Sequence, residues 1–197
     1  PAVGYSDSIV GDMYYNSSTG QFKAIKEGGA PIGSWSSGGN LNQARYGNTG
    51  SGDGKTAITT GGYADSGTPA GYKGITEQYD GTSWTEVNDL NQARGFFGGT
   101  NSSPYTDSLV FGGASPPAQA DTEEWDGTSW TEVNDLNTAR INNGGLGANA
   151  ENALCIGGSN PGALDKVESW NGSSWTEVAE FSTNRAEMPV GAGTNTA

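Results

Sequence analysis

Residues 84–94 (WTEVNDLNQAR) decide the fold, because they return almost unchanged as residues 130–140 (WTEVNDLNTAR). Two more divergent copies flank this pair, over residues 35–45 and 175–185. In all four copies an Arg follows a Trp by ten residues, and successive arginines lie 49, 46 and 45 residues apart. A period of this size is typical of repeat architectures, in which each repeat is one supersecondary unit.

Two further features recur between these segments. An apolar run ends in Gly-Gly three times, and an aromatic residue then lies five positions before the next Trp. The Gly-Gly pairs begin at Gly61, Gly112 and Gly157, the aromatic residues are Tyr79, Trp125 and Trp170, and the turns after them begin at Asp80, Asp126 and Asn171. Each turn is Asp-Gly or Asn-Gly, which accepts the positive φ of a tight β-hairpin. Every complete repeat therefore predicts four short antiparallel strands, and no long window shows a helical period.

A four-stranded sheet that repeats at about this interval is typical of a β-propeller blade. We therefore predict an all-β single domain over residues 1–197, a propeller of four blades with four antiparallel strands each. The predicted parts are an N-terminal arm over 1–10, complete blades over 45–89, 90–135 and 136–180, and a composite closing blade from 11–44 and 185–197.

The closing blade is predicted from the two ends of the chain. A hairpin over residues 11–26 supplies two of its strands, and a C-terminal strand from Ala186 to about Gly193 completes it. Closure of this kind removes exposed sheet edges. The alternative is that the chain is a piece of a larger ring, because the N-terminal hairpin contains no Gly-Gly.

The repeat resembles the kelch repeat, in which an apolar run closed by Gly-Gly is followed by a Tyr and then by a Trp. The resemblance covers about residues 35–185, although Trp replaces the Tyr in two copies. It implies a propeller that binds through its loops, and it implies no chemistry. Residues 11–23 (GDMYYNSSTGQFK) are similar to a hairpin of phage tail-fibre and other virion proteins. The kelch-like array as a whole is similar to structural proteins of tailed phages, notably marine cyanobacterial phages.

The Trp and Arg residues of the repeat are predicted to be structural. They are Trp35, Trp84, Trp130 and Trp175, and Arg45, Arg94, Arg140 and Arg185. Each Trp is expected to wedge between neighbouring blades, where burial of one ring removes about 150–250 Å² from water. The arginines either form a ring of cations that captures an anion or, as we favour, cap carbonyls and pair with acidic residues. Glu77, Glu123 and Glu168 recur in the third strand and are the candidate partners.

The charge of the chain restricts its partners. The net charge is −13, and no run of Lys or Arg offers a local exception. Such a surface repels nucleic-acid phosphates and anionic lipid headgroups, so we expect no nucleic-acid partner. No apolar stretch approaches the roughly 20 residues of a membrane helix, so we expect no membrane insertion. The lone Cys155 lies in an apolar run and is predicted to be a small buried core residue.

The composition also argues against an enzyme. The chain contains no His, which excludes a Ser-His-Asp triad and any His-ligated metal. The acidic turn residues are scattered, whereas calcium needs several converging oxygen ligands. We therefore predict no catalytic residue, no metal and no cofactor. A glycosidase that uses a pair of carboxylates is the remaining enzymatic alternative.

The loops that differ between repeats are the candidate binding elements, because binding sites commonly lie on loops over a rigid scaffold. One set follows Gly-Gly, over 63–74, 114–120 and 159–166, and a second set joins the first and second strands, over 47–55, 100–106 and 148–152. The candidate binding residues are Tyr63, Asp65, Tyr72, Lys73, Tyr105 and Lys166. The alternative for any one loop is a plain solvated connection.

The function expected from these features is a non-catalytic structural or adhesion module of a tailed-phage virion, in a fibre, the tail or a capsid decoration. Its expected partner is another virion protein or a host-surface glycan, and it is expected to belong to a homo-oligomeric or larger assembly. The alternative is a free, lectin-like carbohydrate-binding module, secreted or on a cell surface.

Overall fold

The second of two compact units contains most of the described structure. The computed structural model describes residues 13–16, 21–24, 38–65, 71–101 and 104–187. The chain divides into Pro1–Gly38 and Gly39–Ala197. All regular elements in the described ranges are β-strands, which confirms the predicted all-β class. Within the same ranges there is accordingly no helix that could cross a membrane.

The first unit contains one antiparallel hairpin in its described part. Strand β1 (Met13–Asn16) pairs with β2 (Gln21–Ala24), with Met13 opposite Ala24. Both strands lie within the hairpin predicted over residues 11–26. The predicted arm over 1–10 and Trp35 lie outside the described residues.

The second unit contains three four-stranded antiparallel sheets, in which the strands pair in chain order. The first sheet comprises β3 (Thr49–Gly52), β4 (Ala57–Thr60), β7 (Thr76–Tyr79) and β8 (Trp84–Val87), with a short ribbon of β5 (Tyr63–Ala64) and β6 (Gly71–Tyr72) between β4 and β7. The second comprises β9 (Gly98–Gly99), β10 (Ser108–Phe111), β11 (Thr122–Trp125) and β12 (Trp130–Val133). The third comprises β13 (Gly144–Asn149), β14 (Asn152–Ile156), β15 (Leu164–Trp170) and β16 (Trp175–Arg185).

The Gly-Gly pairs end the second strand of each sheet because only glycine fits there. Gly112 and Gly113 have φ values of 72° and 105°, which side chains rarely tolerate. A Cβ atom on Gly112 would lie 2.9 Å from the carbonyl oxygen of Arg140. The chain can therefore turn sharply at this point, while the segment that links the second and third sheets, which contains Arg140, passes close to it.

Hydrophobic residues fill the two seams between neighbouring sheets. The first seam contains Ile58, Leu90, Phe97, Val110, Trp125 and Trp130, and the second contains Leu109, Phe111, Leu136, Ala150, Ala153, Cys155, Trp170 and Trp175. The Nε1 of Trp130 donates to Thr76 Oγ1 at 3.0 Å, and the Nε1 of Trp175 donates to Thr122 Oγ1 at the same distance. Each of these indoles thus packs against the preceding sheet, whereas Trp84 is half-buried.

A buried carboxylate anchors each segment that links two sheets. Asn91 donates from its backbone N–H and its side-chain amide to Glu123 Oε2, at 2.8 and 2.9 Å. The Nη2 of Arg94 lies 3.0 Å from the other oxygen of Glu123. The same arrangement recurs with Asn42, Arg45 and Glu77, and with Asn137, Arg140 and Glu168. These three arginines are therefore occupied by ion pairs inside the protein, which leaves them no role in an exposed ring that captures an anion.

The side chain of Arg185 departs from this arrangement. It is exposed at the end of β16, and its guanidinium lies 5.6 Å from the centre of the Phe181 ring. In this copy Ser182 replaces the Asn that binds the glutamate in the other three. Strand β16 continues through this segment to Arg185, past the predicted blade end at residue 180. Beyond Glu187, the strand predicted to begin at Ala186 lies outside the described residues.

The backbone of the fourth copy nevertheless keeps the repeat. The residue two positions after each Arg has a positive φ: 66° at Gly47, 58° at Phe96, 54° at Asn142 and 53° at Glu187. The second glycine of each Gly-Gly pair also donates to the carbonyl of an Arg, at 2.8 Å to Arg94, 2.8 Å to Arg140 and 2.9 Å to Arg185. The fourth copy therefore keeps the positive φ after its Arg and the hydrogen bond to the Arg carbonyl, while its strand is longer and its side-chain contacts differ.

Candidate binding surface

The loops of the second unit lie at two opposite ends of its sheets. Because neighbouring strands are antiparallel, the loops after Gly-Gly and the linking segments share one end, called here the Gly-Gly end. The Asp-Gly and Asn-Gly turns and the loops between first and second strands share the other. Tyr63, Asp65 and Tyr72 lie at the Gly-Gly end of the first sheet, whereas Tyr105 lies between β9 and β10, at the opposite end.

Backbone pairing brings three tyrosines side by side. Tyr63 lies opposite Tyr72 in the ribbon of β5 and β6. Tyr63 also exchanges two backbone hydrogen bonds with Tyr46, at 3.0 and 2.7 Å. The centres of the Tyr63 and Tyr72 rings are 5.1 Å apart, and those of Tyr46 and Tyr63 are 5.7 Å apart.

A phenylalanine from the segment that leads into the second sheet extends this group. The centre of the Phe96 ring lies 5.7 Å from that of Tyr46, and all three ring contacts are edge to face. Phe96 adopts a φ of 58°, which is uncommon for a bulky residue, and its N–H donates to the Gly47 carbonyl at 2.7 Å. Tyr72, Tyr63, Tyr46 and Phe96 form a continuous row, called here the aromatic row.

The exposed part of the aromatic row is Tyr46 with its partner Asp65. Tyr46 is 47% exposed, and its hydroxyl donates to Asp65 Oδ1 at 3.1 Å. Desolvation and this hydrogen bond raise the pKa of Tyr46 above its usual value, so the phenol stays protonated. Oδ2 of Asp65 has no hydrogen-bond partner among the described residues. The surface thus combines an exposed aromatic ring with an exposed carboxylate.

The other three candidate residues do not join the aromatic row. Lys73, one of the candidate binding residues, is buried, at 5% exposure. The ammonium of Lys166 lies 2.6 Å from Glu177 Oε2, on the third sheet. Tyr105 packs, partly buried, against the first seam. The candidates that converge are therefore Tyr63, Asp65 and Tyr72.

Sequence reasoning missed Tyr46 and Phe96. Tyr46 directly follows Arg45, at a position that Gly95 and Ile141 occupy in the next two copies. Phe96 stands where the first copy has Gly47. The residues that directly follow the recurring Arg differ between copies, as the loop residues do. This difference could have identified Tyr46 and Phe96 from the sequence.

The chemistry available at this surface is that of binding. The aromatic row and Asp65 together offer an apolar face, three tyrosine hydroxyl groups and one carboxylate. Within the described ranges, no three Cys, Asp or Glu side chains converge to hold a metal ion. The thiol of Cys155 is enclosed in the second seam, where burial raises its pKa to about 12 and keeps it un-ionised. Comparison of the chain with protein-family models and with curated protein sequences gave no match.

Proposed function

We propose that this chain is a non-catalytic structural and adhesion module of a tailed-phage virion, in a fibre, the tail or a capsid decoration. The observation that carries the proposal is the aromatic row, of which Tyr46 is exposed beside Asp65, on a scaffold held by buried ion pairs. Its partner is another virion protein or a host-surface glycan. Sites of this kind commonly lie on loops over a rigid framework, and the scaffold residues repeat while the loops differ.

We further propose that the sheets are blades of a kelch-like propeller with four blades. One support for this proposal is the positive φ that recurs once in each of the four copies, at Gly47, Phe96, Asn142 and Glu187. The first strands of consecutive sheets are also neighbours, since β9 contacts both β3 and β13. In this proposal residues 11–44 and 185–197 supply the fourth blade.

The acidic character of the chain supports a role outside nucleic-acid binding. A net charge of −13 repels phosphate groups and favours a soluble exterior component of a particle. The proposed location is therefore the virion surface, within a homo-oligomeric or larger assembly.

Immunogold electron microscopy of particles from the source of the sequence tests this function. Antibodies raised against the full chain should label a fibre, the tail or the capsid surface, and mass spectrometry of purified particles should detect its peptides. Absence of the protein from purified particles would overturn the proposal. Recovery of the chain only as a free, glycan-binding protein would instead favour the lectin-like alternative.

A further inference from the structure

We infer that the aromatic row binds a neutral sugar ring, a hexopyranose unit of an uncharged glycan, which stacks on Tyr46 and donates hydroxyl hydrogen bonds to Asp65. The inference rests on the proposed adhesion function and names the ligand class of that same surface. It distinguishes uncharged glycans from anionic glycans, from quaternary ammonium ligands and from a protein partner.

The exposed ring of Tyr46 supplies the stacking surface. Among the described residues, only Tyr46 and Val178 are large hydrophobic side chains with high exposure, at 47% and 55%. A pyranose ring has one face of C–H groups and an edge of hydroxyl groups, so it packs on an aromatic ring while its hydroxyls reach polar atoms. An aromatic side chain with a polar tip suits a ligand with this division.

The spacing of the rings argues against an ammonium cage. Such cages surround a cation with aromatic faces. In the aromatic row, neighbouring ring centres are only 5.1 to 5.7 Å apart, and the rings contact one another edge to face. This leaves no room for a cation between neighbouring rings, and the most exposed ring of the row is that of Tyr46.

The charge around the row selects among sugars. Asp65 is an exposed carboxylate, and its only described hydrogen bond is from Tyr46. Lys73, the next residue after Tyr72, is buried, and the side chain of Arg45 is paired with Glu77. Sialic acids, uronic acids and sulfated sugars would thus meet a negative charge here, whereas neutral hydroxyl groups would find an acceptor.

The size of the surface favours a sugar over a protein. A specific protein interface buries roughly 800 Å² on each partner and contains a cluster of desolvated anchor residues. Here one exposed aromatic ring stands beside one exposed carboxylate, while the other three rings are half-buried. That combination matches one or two sugar units.

Saturation-transfer NMR and calorimetry with the full chain test this inference. The probes are neutral oligosaccharides of glucose, galactose, mannose and N-acetylglucosamine, with sialylated and sulfated oligosaccharides and choline for comparison. At least one neutral oligosaccharide should bind at ligand concentrations up to about 10 mM. Tyr46→Ala and Asp65→Ala should each weaken that binding by about tenfold or more, and Tyr46→Phe should weaken it less because the ring remains.

The matched control is Val178→Ala, which removes a similarly exposed apolar side chain from the third sheet and should leave binding unchanged. Asp65→Ala changes an exposed side chain, so it tests the surface even if Tyr46→Ala fails to fold. The inference is overturned if no neutral glycan binds, if sialylated or sulfated glycans or choline bind better, or if both alanine variants bind normally. Loss of a virion-protein partner in the Tyr46 variant, without any sugar binding, would assign the surface to protein. Immunogold labelling decides the virion function separately, so the two failures are distinguishable.

Discussion

At the scale of single residues, the hairpin turns show how one side chain fixes a backbone. Asp126 Oδ1 accepts hydrogen bonds from the backbone N–H groups of Thr128 and Ser129, both at 2.8 Å. These bonds lower the pKa of Asp126 below its usual value, because they favour the charged form. In the third sheet Asn171 accepts the same two bonds at 3.0 and 2.9 Å without carrying a charge.

We expect Asp126→Asn to keep the turn and to reduce the loss of stability in acid. A lowered folded-state pKa contributes stability above the usual aspartate pKa of about 4, and this contribution is lost as the pH falls through the folded-state pKa. The variant lacks this contribution, so it should be somewhat less stable than the wild type at pH 7 and should lose less stability below about pH 4. Urea unfolding at several pH values measures the difference. Asp165→Asn, which removes a charge away from any hairpin turn, is the control, and an identical acid profile in Asp126→Asn and wild type would contradict the prediction.

At the scale of elements, the linking segments depend on one buried carboxylate each. Glu168 accepts from the backbone and side chain of Asn137 and pairs with Arg140, and neither charged side chain is exposed. The guanidinium of Arg140 also donates to the carbonyls of Gly157 and Lys166, both at 3.1 Å. The segment between the second and third sheets is therefore tied to two strands of the third sheet.

We expect Glu168→Gln to destabilise the protein by about 3–5 kcal/mol, because removal of one partner leaves the buried charge of Arg140 unpaired. Glu177→Gln is the matched control. Its carboxylate is 40% exposed and pairs with Lys166 at the surface, so its loss should cost within about 0.5 kcal/mol. Free energies of unfolding in urea measure both changes. Equal values for the two variants would show that the buried pair does not anchor the segment.

The sequence predicted the elements that recur in every copy better than the features that are specific to one copy. Residues that recur at equal spacing have equivalent surroundings, so the end of β10 just before Gly112 and the start of β12 at Trp130 could be derived directly. The ribbon of β5 and β6 could not, because the longer loop of the first copy extends into two strands a pairing that is only a single bridge in the other copies, Ala114 with Ala118 and Ser159 with Ala163. Phe96 gives no local signal for a positive φ, and the burial of Lys73 runs against the usual exposure of lysine. Three residues of the site, Tyr63, Asp65 and Tyr72, were therefore predicted from the sequence, and Tyr46 and Phe96 were not.

At the scale of the whole molecule, each sheet depends on the sheet before it. Trp130 and Trp175 are each 6% exposed and close the two described seams. Trp84 occupies the same position in the first sheet and is half-buried. In the proposed ring of four blades, the composite blade would cover Trp84 as the first sheet covers Trp130.

Two Trp substitutions test this closure. Trp130→Ala should cost about 3–5 kcal/mol, as expected for a large buried aromatic side chain. If the ring is closed, Trp84→Ala should cost a similar amount, because its indole is then covered too. Urea unfolding followed by circular dichroism measures both variants. A loss below about 1 kcal/mol for Trp84→Ala, with the full cost for Trp130→Ala, would contradict four-bladed closure.

The near-identity of two linking segments has a consequence for folding. Residues 84–94 and 130–140 differ only at Gln92 and Thr138, so a linking segment offers nearly the same groups to the correct sheet and to the wrong one. The short connection to the next sheet then selects the correct neighbour through its higher effective concentration. In a concentrated solution this advantage shrinks, and molecules that exchange equivalent sheets form dimers and longer chains without any new type of contact.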